Sequence, residues 1–422
     1  MRLKWFIIAF CMVVLATGCS LFEQENTPGA EQHVQGETAE QTGQIPAEQQ
    51  ADGADGINES PSVPREREAR SVEELQLMVV GDIMMHMPQI EAGKTAEGYD
   101  FSPFFEKVQP VFEQADLVLG NLETTFGGPE RGYSGYPLFS APDELAEALK
   151  QAGFDVITTA NNHSLDSGPQ GLIRTIDTLE AAGLHATGTF RSTEERADVL
   201  VVEHNNISVA VLAYTYGTNG IPLPEGKEYL VNLLNEEEMK TDIKRAKQEA
   251  DFVAVCIHFG AEYQSDPNEE QIQWVDKLFD WGADLIFGSH PHVLQPYEFR
   301  EWVQDGTFRQ GVVIYSLGNF ISNQREHPRD IGGILSVNLT KVGDQARIED
   351  VDFIPTYVHR YWQDGQRAYQ VLPMKTLVEE RAYPQISEED YNQLHNRYQQ
   401  TLEHVTPAEK IIRSGPAEYL EH

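Results

Sequence analysis

From Leu75 onward, short apolar runs recur at intervals: "LQLMVVG", "ADLVLG", "FDVITTA", "ISVAVLAY", "DFVAVCI", "ADLIFG" and "GVVIYSLG". Each has the length of a strand and is too short to build an apolar helix face. Between them lie segments of helical period, "APDELAEALKQAG", "PQGLIRTIDTLEAAG", "NEEEMKTDIKRAKQEA" and "NEEQIQWVDKLFDWG". Several of these open on acidic residues and close on glycine, as helix capping requires. Strands separated by helices predict a mainly parallel, layered α/β domain. After Pro384, "ISEEDYNQLHNRYQQTLEHV" predicts a peripheral terminal helix. No repeat of solenoid length is present.

The polar residues that follow these runs are of few types. "MVVGDIMMH" carries Asp82 and His86, and "LVLGNLETT" carries Asn121 and Glu123. "VITTANNHSLDSG" carries Asn161, Asn162, His163 and Asp166; "AVCIHFGAEY" carries His258 and Glu262. "LIFGSHPHVLQP" ends in His290 and His292, and "VIYSLGNF" in Asn319. Ligands of open α/β sheets bind beyond the carboxyl ends of strands, so parallel neighbours would gather these residues in one cleft. In an extended segment His290 and His292 point the same way, and Pro291 between them stiffens the turn. "AYTYGTNG" offers Tyr214, Tyr216 and Asn219 as further contacts, although a strand end followed by a glycine-rich turn reads equally well. Trp274 and Trp281, seven apart on a helical pattern, read as packing residues.

Composition narrows the function. The 422 residues contain 67 acidic and 31 basic side chains, a formal net charge of −36, which excludes generic nucleic-acid binding. Arg2 and Lys4 precede the apolar "WFIIAFCMVVLA", the order of an export signal. "LATGCS" follows and resembles the lipobox of bacterial lipoproteins, so residues 1–18 are expected to be cleaved and Cys19 to carry lipid. The expected location is the extracytoplasmic face of the cell membrane. Residues 19–74, rich in Glu, Gln, Gly, Pro and Ala, predict an acidic disordered linker; about fifty such residues reach on the order of 40 Å. Residues 75–383 then form the folded domain and 384–422 a helical tail. Cys11 leaves with the signal, so Cys256, inside "FVAVCIHFG", has no partner for a disulfide and reads as a core residue.

Imidazole and carboxylate ligands without thiols suit manganese, zinc or iron, one ion or two. Such an ion lowers the pKa of bound water to about 7, and a pair roughly 3.5–4 Å apart can hold both oxygens of a phosphoryl transfer. His163 stands where it can protonate a leaving group. No nucleophile elbow, P-loop or dinucleotide fingerprint is present.

The ordered motifs "VGDIMMH", "GNLETTF", "ANNHSLDSG", "HFGAEY", "GSHPHVLQP" and "SLGNF", from about Leu77 to Asn323, resemble those of the CapA family of poly-γ-glutamate capsule biosynthesis proteins. That family is similar to calcineurin-like metallophosphatases. The resemblance implies a layered sandwich of two mixed β-sheets flanked by helices around a metal centre. It implies Asp82, Glu123, Asn162, His258, His290 and His292 as metal ligands, with Glu123 where a bridging aspartate would lie. Met84 occupies the position of the phosphatases' first histidine and His86 lies two residues further on, so the motif is altered and His86 is the candidate for that ligand. His163 and Asp166 take catalytic roles, and Asn121, Asn161, Glu262 and Asn319 substrate contacts. The implied function is biosynthesis, export or anchoring of an anionic polymer such as poly-γ-glutamate, in contact with a membrane polymer synthase. An extracytoplasmic phosphoesterase and a non-catalytic synthase partner are the alternatives.

Overall fold

The computed structural model describes residues 71–304, 306–406 and 411–412. The export signal, Cys11, Cys19 and the linker up to residue 70 lie outside the described residues, as does the end of the tail.

Among the described residues, fifteen strands form two mixed sheets. In chain order they are β1 (Glu73–Ile83), β2 (Leu117–Leu122), β3 (Val156–Thr158), β4 (His185–Thr187), β5 (Leu200–His204), β6 (Ile207–Thr215), β7 (Phe252–His258) and β8 (Leu285–Ser289). There follow β9 (Leu294–Gln304), β10 (Thr307–Leu317), β11 (Asn319–Ile321), β12 (Ile331–Val342), β13 (Gln345–Gln363), β14 (Gln366–Pro373) and β15 (Ile411–Ile412). The first sheet runs β14-β13-β12-β1-β2-β3-β4, with β11 also paired to β1; the second runs β15-β9-β10-β8-β7-β6-β5. Strands β1 to β4 are mutually parallel, as are β6, β7, β8 and β10.

The seven apolar runs are central strands, buried on both faces, and their period of two assigns each residue to a layer. Leu77, Val79, Leu119 and Val156 of the first sheet meet Val211, Ala254, Cys256, Phe287 and Ile314 of the second, forming the core between the sheets. The alternate residues, Met78, Val80, Val118 and Ile157, face outward onto Phe104, Leu145 and Leu149 of the flanking helices. On the other side Leu212, Val255, Ile286 and Val313 pack on Met239, Ile243, Val275 and Leu278. The result is four layers, helix, sheet, sheet and helix. A fully buried Leu or Val side chain contributes about 1.5–3 kcal/mol, so these faces hold the sheets together.

Caps end the helices where expected. Helix Glu236–Glu249 starts on Asn235, whose side chain accepts from the amides of Glu237 and Glu238. Helix Glu269–Trp281 has a reciprocal Asn268–Gln271 box and stops at Gly282, φ 121°. Trp274 and Trp281 touch edge to face at 6.4 Å and pack on the outer core.

Two features were not visible in the sequence. The stretch from Ile331 to Pro373 forms three long strands, β12 to β14, laid antiparallel onto β1 and onto one another. β13 mixes buried and exposed positions, and β12 and β14 carry glycine or polar residues among their buried ones, so no continuous apolar run marks them. The terminal helix, Glu388–Val405, is also anchored rather than peripheral: Tyr391, Leu394 and Val405 are buried in the cluster between the sheets. The Tyr391 hydroxyl donates to the Tyr383 carbonyl at 3.2 Å and accepts from the Tyr383 amide at 2.9 Å.

At two glycines strands approach too closely for any side chain. A Cβ at Gly81 would lie 2.0 Å from the Gly318 carbonyl oxygen, and one at Gly288 would lie 2.0 Å from that of Tyr315. Gly81 precedes Asp82, and Gly288 stands two residues before His290. Close strand approach therefore sets the positions of these two polar ends.

Tyr391→Ala is expected to lower unfolding stability by about 3 kcal/mol, read from urea denaturation; an unchanged midpoint would show that the helix is not part of the core.

Candidate metal centre

Strand register brings the polar ends together. Asp82 is paired with Asn121 of β2 and Asn319 of β11, and His258 with Ser289 of β8. Contacts then cross between the sheets. Asp82 Oδ2 lies 2.9 Å from His292 Nδ1, and Asn121 Nδ2 lies 3.5 Å from His258 Nδ1. Glu123 Oε1 lies 3.7 Å from Nε2 of both His258 and His292.

Three sets of donor atoms lie within 4.8 Å of one another: Glu123, His258 and His290; Asp82, Glu123 and His292; and Glu262, His290 and His292. Glu123, His290 and His292 each belong to two of them, and Glu123 joins the set of His258 to that of Asp82. The Glu123 side chain is fully buried and neither carboxylate oxygen has a hydrogen-bond partner. A lone buried carboxylate costs several kcal/mol unless a positive charge compensates it. Burial first, and then the Asp82 charge, raise its pKa well above the ordinary 4.5. The imidazoles are shifted in the opposite sense. Burial, with the neighbouring histidines, takes His258 well below 6.5 and His290 down to about 4. Neutral imidazoles beside a carboxylate are the protonation states that metal ligation needs, and the unpartnered Nδ1 of His290 adds an unused buried donor atom.

The two histidines of "GSHPH" converge by a route other than the extended one. His290 has φ 98° and His292 φ 58°, both left-handed and costing of order 1–3 kcal/mol each. Their ring centroids lie 5.9 Å apart. Strand β8 ends at Ser289, and the turn beyond it, rather than strand alternation, aims both rings into the cleft.

The asparagines form a supporting chain. Asn121 Nδ2 donates to Asp82 Oδ1 at 2.9 Å, and Asn161 Nδ2 donates to Asn121 Oδ1 at 3.2 Å and to the Leu122 carbonyl at 2.7 Å. Both are buried, so they orient the carboxylates instead of presenting a face to substrate. Asn319 is likewise buried, and its amide donates to the His292 carbonyl, the Arg329 carbonyl and Gln324 Oε1. Asn162 reaches the centre itself, with Oδ1 2.9 Å from His258 Nε2. His163 Nδ1 lies 2.7 Å from Asp166 Oδ2, which also accepts from the Phe139 amide at 2.6 Å. Asp166 thus orients His163 from behind through a single hydrogen bond.

His86 stands outside the three donor sets. Its Nδ1 accepts from the Asn323 amide at 3.3 Å, its ring meets Phe139 edge-on at 5.1 Å, and burial lowers its pKa to about 4. Glu262 is exposed at the mouth. Of the tyrosines, Tyr214 points to the outer core and donates to Asp242 at 2.9 Å, whereas Tyr216 lies 4.7 Å from the His290 ring. Asn219 Nδ2 sits 3.4 Å from His163 Nε2. Sequence reasoning missed Ser289, whose Oγ lies 2.8 Å from His258 Nδ1, and Tyr263, whose ring is 6.1 Å from that of His292. Ser289 immediately precedes His290, and its position at a strand end was a usable signal.

The family profile described as "Bacterial capsule synthesis protein PGA_cap" matches residues 76–324. The chain is 32% identical to the capsule biosynthesis protein CapA of Bacillus anthracis over 60% of its own length and 61% of that protein's. It is also 32% identical to the PGA biosynthesis protein CapA of Bacillus subtilis (strain 168), over 59% and 64%. It therefore spans under two thirds of either relative. Among solved structures, the calcineurin-like phosphoesterase YfkN of Bacillus subtilis is similar at 16% identity and TM-score 0.44, covering 79% of this chain and 99% of that one. At that score the likeness says nothing about chemistry.

In chelator, Glu123→Gln is expected to change how stability depends on pH. With its folded pKa raised, ionised Glu123 penalises the fold. Metal-free wild-type protein should therefore lose stability, relative to the variant, as pH rises above 4.5. Parallel melting curves for the two proteins across pH would contradict this.

Proposed function

The chain belongs to the bacterial capsule synthesis PGA_cap family, and on that premise we propose that it serves the assembly of an extracellular poly-γ-glutamate-like polymer through a centre holding one or two divalent metal ions. The observation that carries the reading is Glu123: a fully buried carboxylate, both oxygens unpartnered, between two imidazoles. A cation there satisfies a charge that the protein leaves uncompensated.

The donor chemistry fits such an ion. Asp82, Glu123, His258, His290 and His292 supply oxygen and nitrogen, and the Asn162 amide stands beside them. No thiol takes part, which suits manganese, zinc or iron. When bound, the ion supplies positive charge that polarises a carbonyl or phosphoryl oxygen and acidifies water. The chain's own residues do the rest. Asp82 and His292 brace each other across the sheets. Ser289 and Asn162 fix the His258 ring from either nitrogen. Asp166 holds His163 by Nδ1, leaving Nε2 toward Asn219 and the cleft, where it can move a proton. Tyr216 and Tyr263, both about half exposed, form the rim.

The order of charge, apolar run and "LATGCS" at the N-terminus supports export and lipid attachment at Cys19 on the extracytoplasmic face of the membrane. That location would place the centre beside a membrane polymer synthase, where a polymer emerges.

Purified protein is expected to hold divalent metal by elemental analysis, and Glu123→Gln to lose most of it and lower polymer yield in a capsule-forming strain. His163→Ala should retain metal while losing about 10²–10⁴-fold in turnover. Wild-type yield from a metal-free Glu123→Gln protein would sink the proposal. Cys19→Ser should move the protein from the membrane to the soluble fraction, and continued sedimentation with membranes would argue against the anchor.

A further inference from the structure

A cavity of about 360 Å³ is lined in part by Ser322, Gln324, Arg325 and Asp330, in the segment that follows β11. Hydrogen bonds link the cavity to the centre through that segment. Tyr369, on the cavity wall, donates to Asn323 Oδ1 at 2.6 Å, and the Asn323 amide donates to His86 Nδ1 at 3.3 Å. Gln324, also on the wall, accepts at 3.1 Å from the Asn319 amide, which holds the His292 carbonyl.

The cavity's charge is opposite to that of the molecule. Three arginines line it, Arg325, Arg360 and Arg397, against two aspartates that already have partners. Asp330 is engaged by Arg397 at 3.2 Å and by His327 at 3.4 Å, and Asp390 accepts from the Ser387 hydroxyl at 2.7 Å. Arg325 and Arg360 have no hydrogen bond or ion pair among the described residues, although the chain has 67 acidic side chains to offer. A third group is also unused. His359 on β13 is 6% exposed, lines the cavity, and its Nε2 has no hydrogen-bond partner. Burial lowers its pKa to about 4, so the ring is neutral and can donate a single N–H without adding charge.

We propose that this cavity is a carboxylate-binding subsite for an acidic chain, gripping side carboxylates of a polyanion whose reacting region lies at the metal centre. The proposal rests on the polymer reading above for its ligand, and on Arg325, Arg360 and His359 for its geometry. Guanidinium forks match carboxylates two bonds at a time. A protein of net charge −36 repels a polyanion at long range, so capture needs a local cationic seat.

The test uses the full chain in detergent micelles and a fluorescent, short γ-linked glutamate oligomer, with binding read by anisotropy. The arginines are exposed, so Arg325→Gln with Arg360→Gln should leave the melting temperature and metal content unchanged while weakening binding about tenfold. Arg360→Lys, which keeps charge and loses the fork, should fall between. Unaltered affinity in the double variant, or no binding by wild-type protein, overturns the subsite. Displacement of the oligomer by inorganic phosphate, beyond the effect of equal ionic strength, overturns its assignment to carboxylates. The two proposals fail separately. Arginine-dependent binding by a wild-type protein that holds no metal leaves the subsite standing and removes the metal reading, and arginine-independent binding by a metal-loaded protein does the reverse.

Discussion

A 2.9 Å contact between Asp82 and His292 joins residues 210 positions apart and ties the end of β1 in one sheet to the turn after β8 in the other. Two of the three donor sets, both built on Glu123, draw on the two sheets together. The first brings Asp82, Glu123 and Asn162, and the second brings His258, His290 and His292. Stacked sheets lie about 10 Å apart, a gap set here by Val79 and Leu119 facing Cys256 and Phe287. Carboxylates and imidazoles at the strand ends can span that gap from opposite sides. The apolar core is thus the ruler of the site, and a change in its thickness would separate the ligands.

The electrostatics follow from the same enclosure. Burial pushes Glu123 toward protonation and keeps His258 and His290 neutral. The rings are thus already in the neutral form that ligation needs, whereas a cation would displace the proton that burial favours on Glu123. Around this interior the surface is strongly acidic. An acidic surface opposes an anionic ligand at long range, and the proposed arginine-lined subsite would offset that repulsion locally.

Support residues are as much a part of the centre as the direct ones. Asn121, Asn161 and Asn319 were expected at substrate, yet all three are buried and spend their amides on Asp82, on neighbouring carbonyls and on one another. A buried amide can satisfy several donors and acceptors at once without carrying charge. That property makes it a better brace than a solvent-facing contact. The left-handed backbone at His290 and His292 fits the same pattern, in which the surrounding packing holds a strained turn for the sake of where its rings point.

The chain's own text was enough for the seven central strands, four helices between them, the terminal helix and the short vocabulary of polar residues after each run. Those features are local: a period of two or 3.6, a cap, and a polar residue one or two steps past an apolar one. The family motifs, lying in order from Asp82 to Asn319, were legible for the same reason. The antiparallel strands β12 to β14 were not, because glycine and polar residues interrupt their apolar positions and the pattern acquires meaning only beside its neighbour. The position of His86 outside the donor sets, the hydrogen bonds of the asparagines and the pairing of Ser289 with His258 are likewise properties of the folded chain. Residue type says what a side chain can bind. Which atoms lie within 3 Å of it depends on how two sheets, far apart in sequence, come to rest on a shared core.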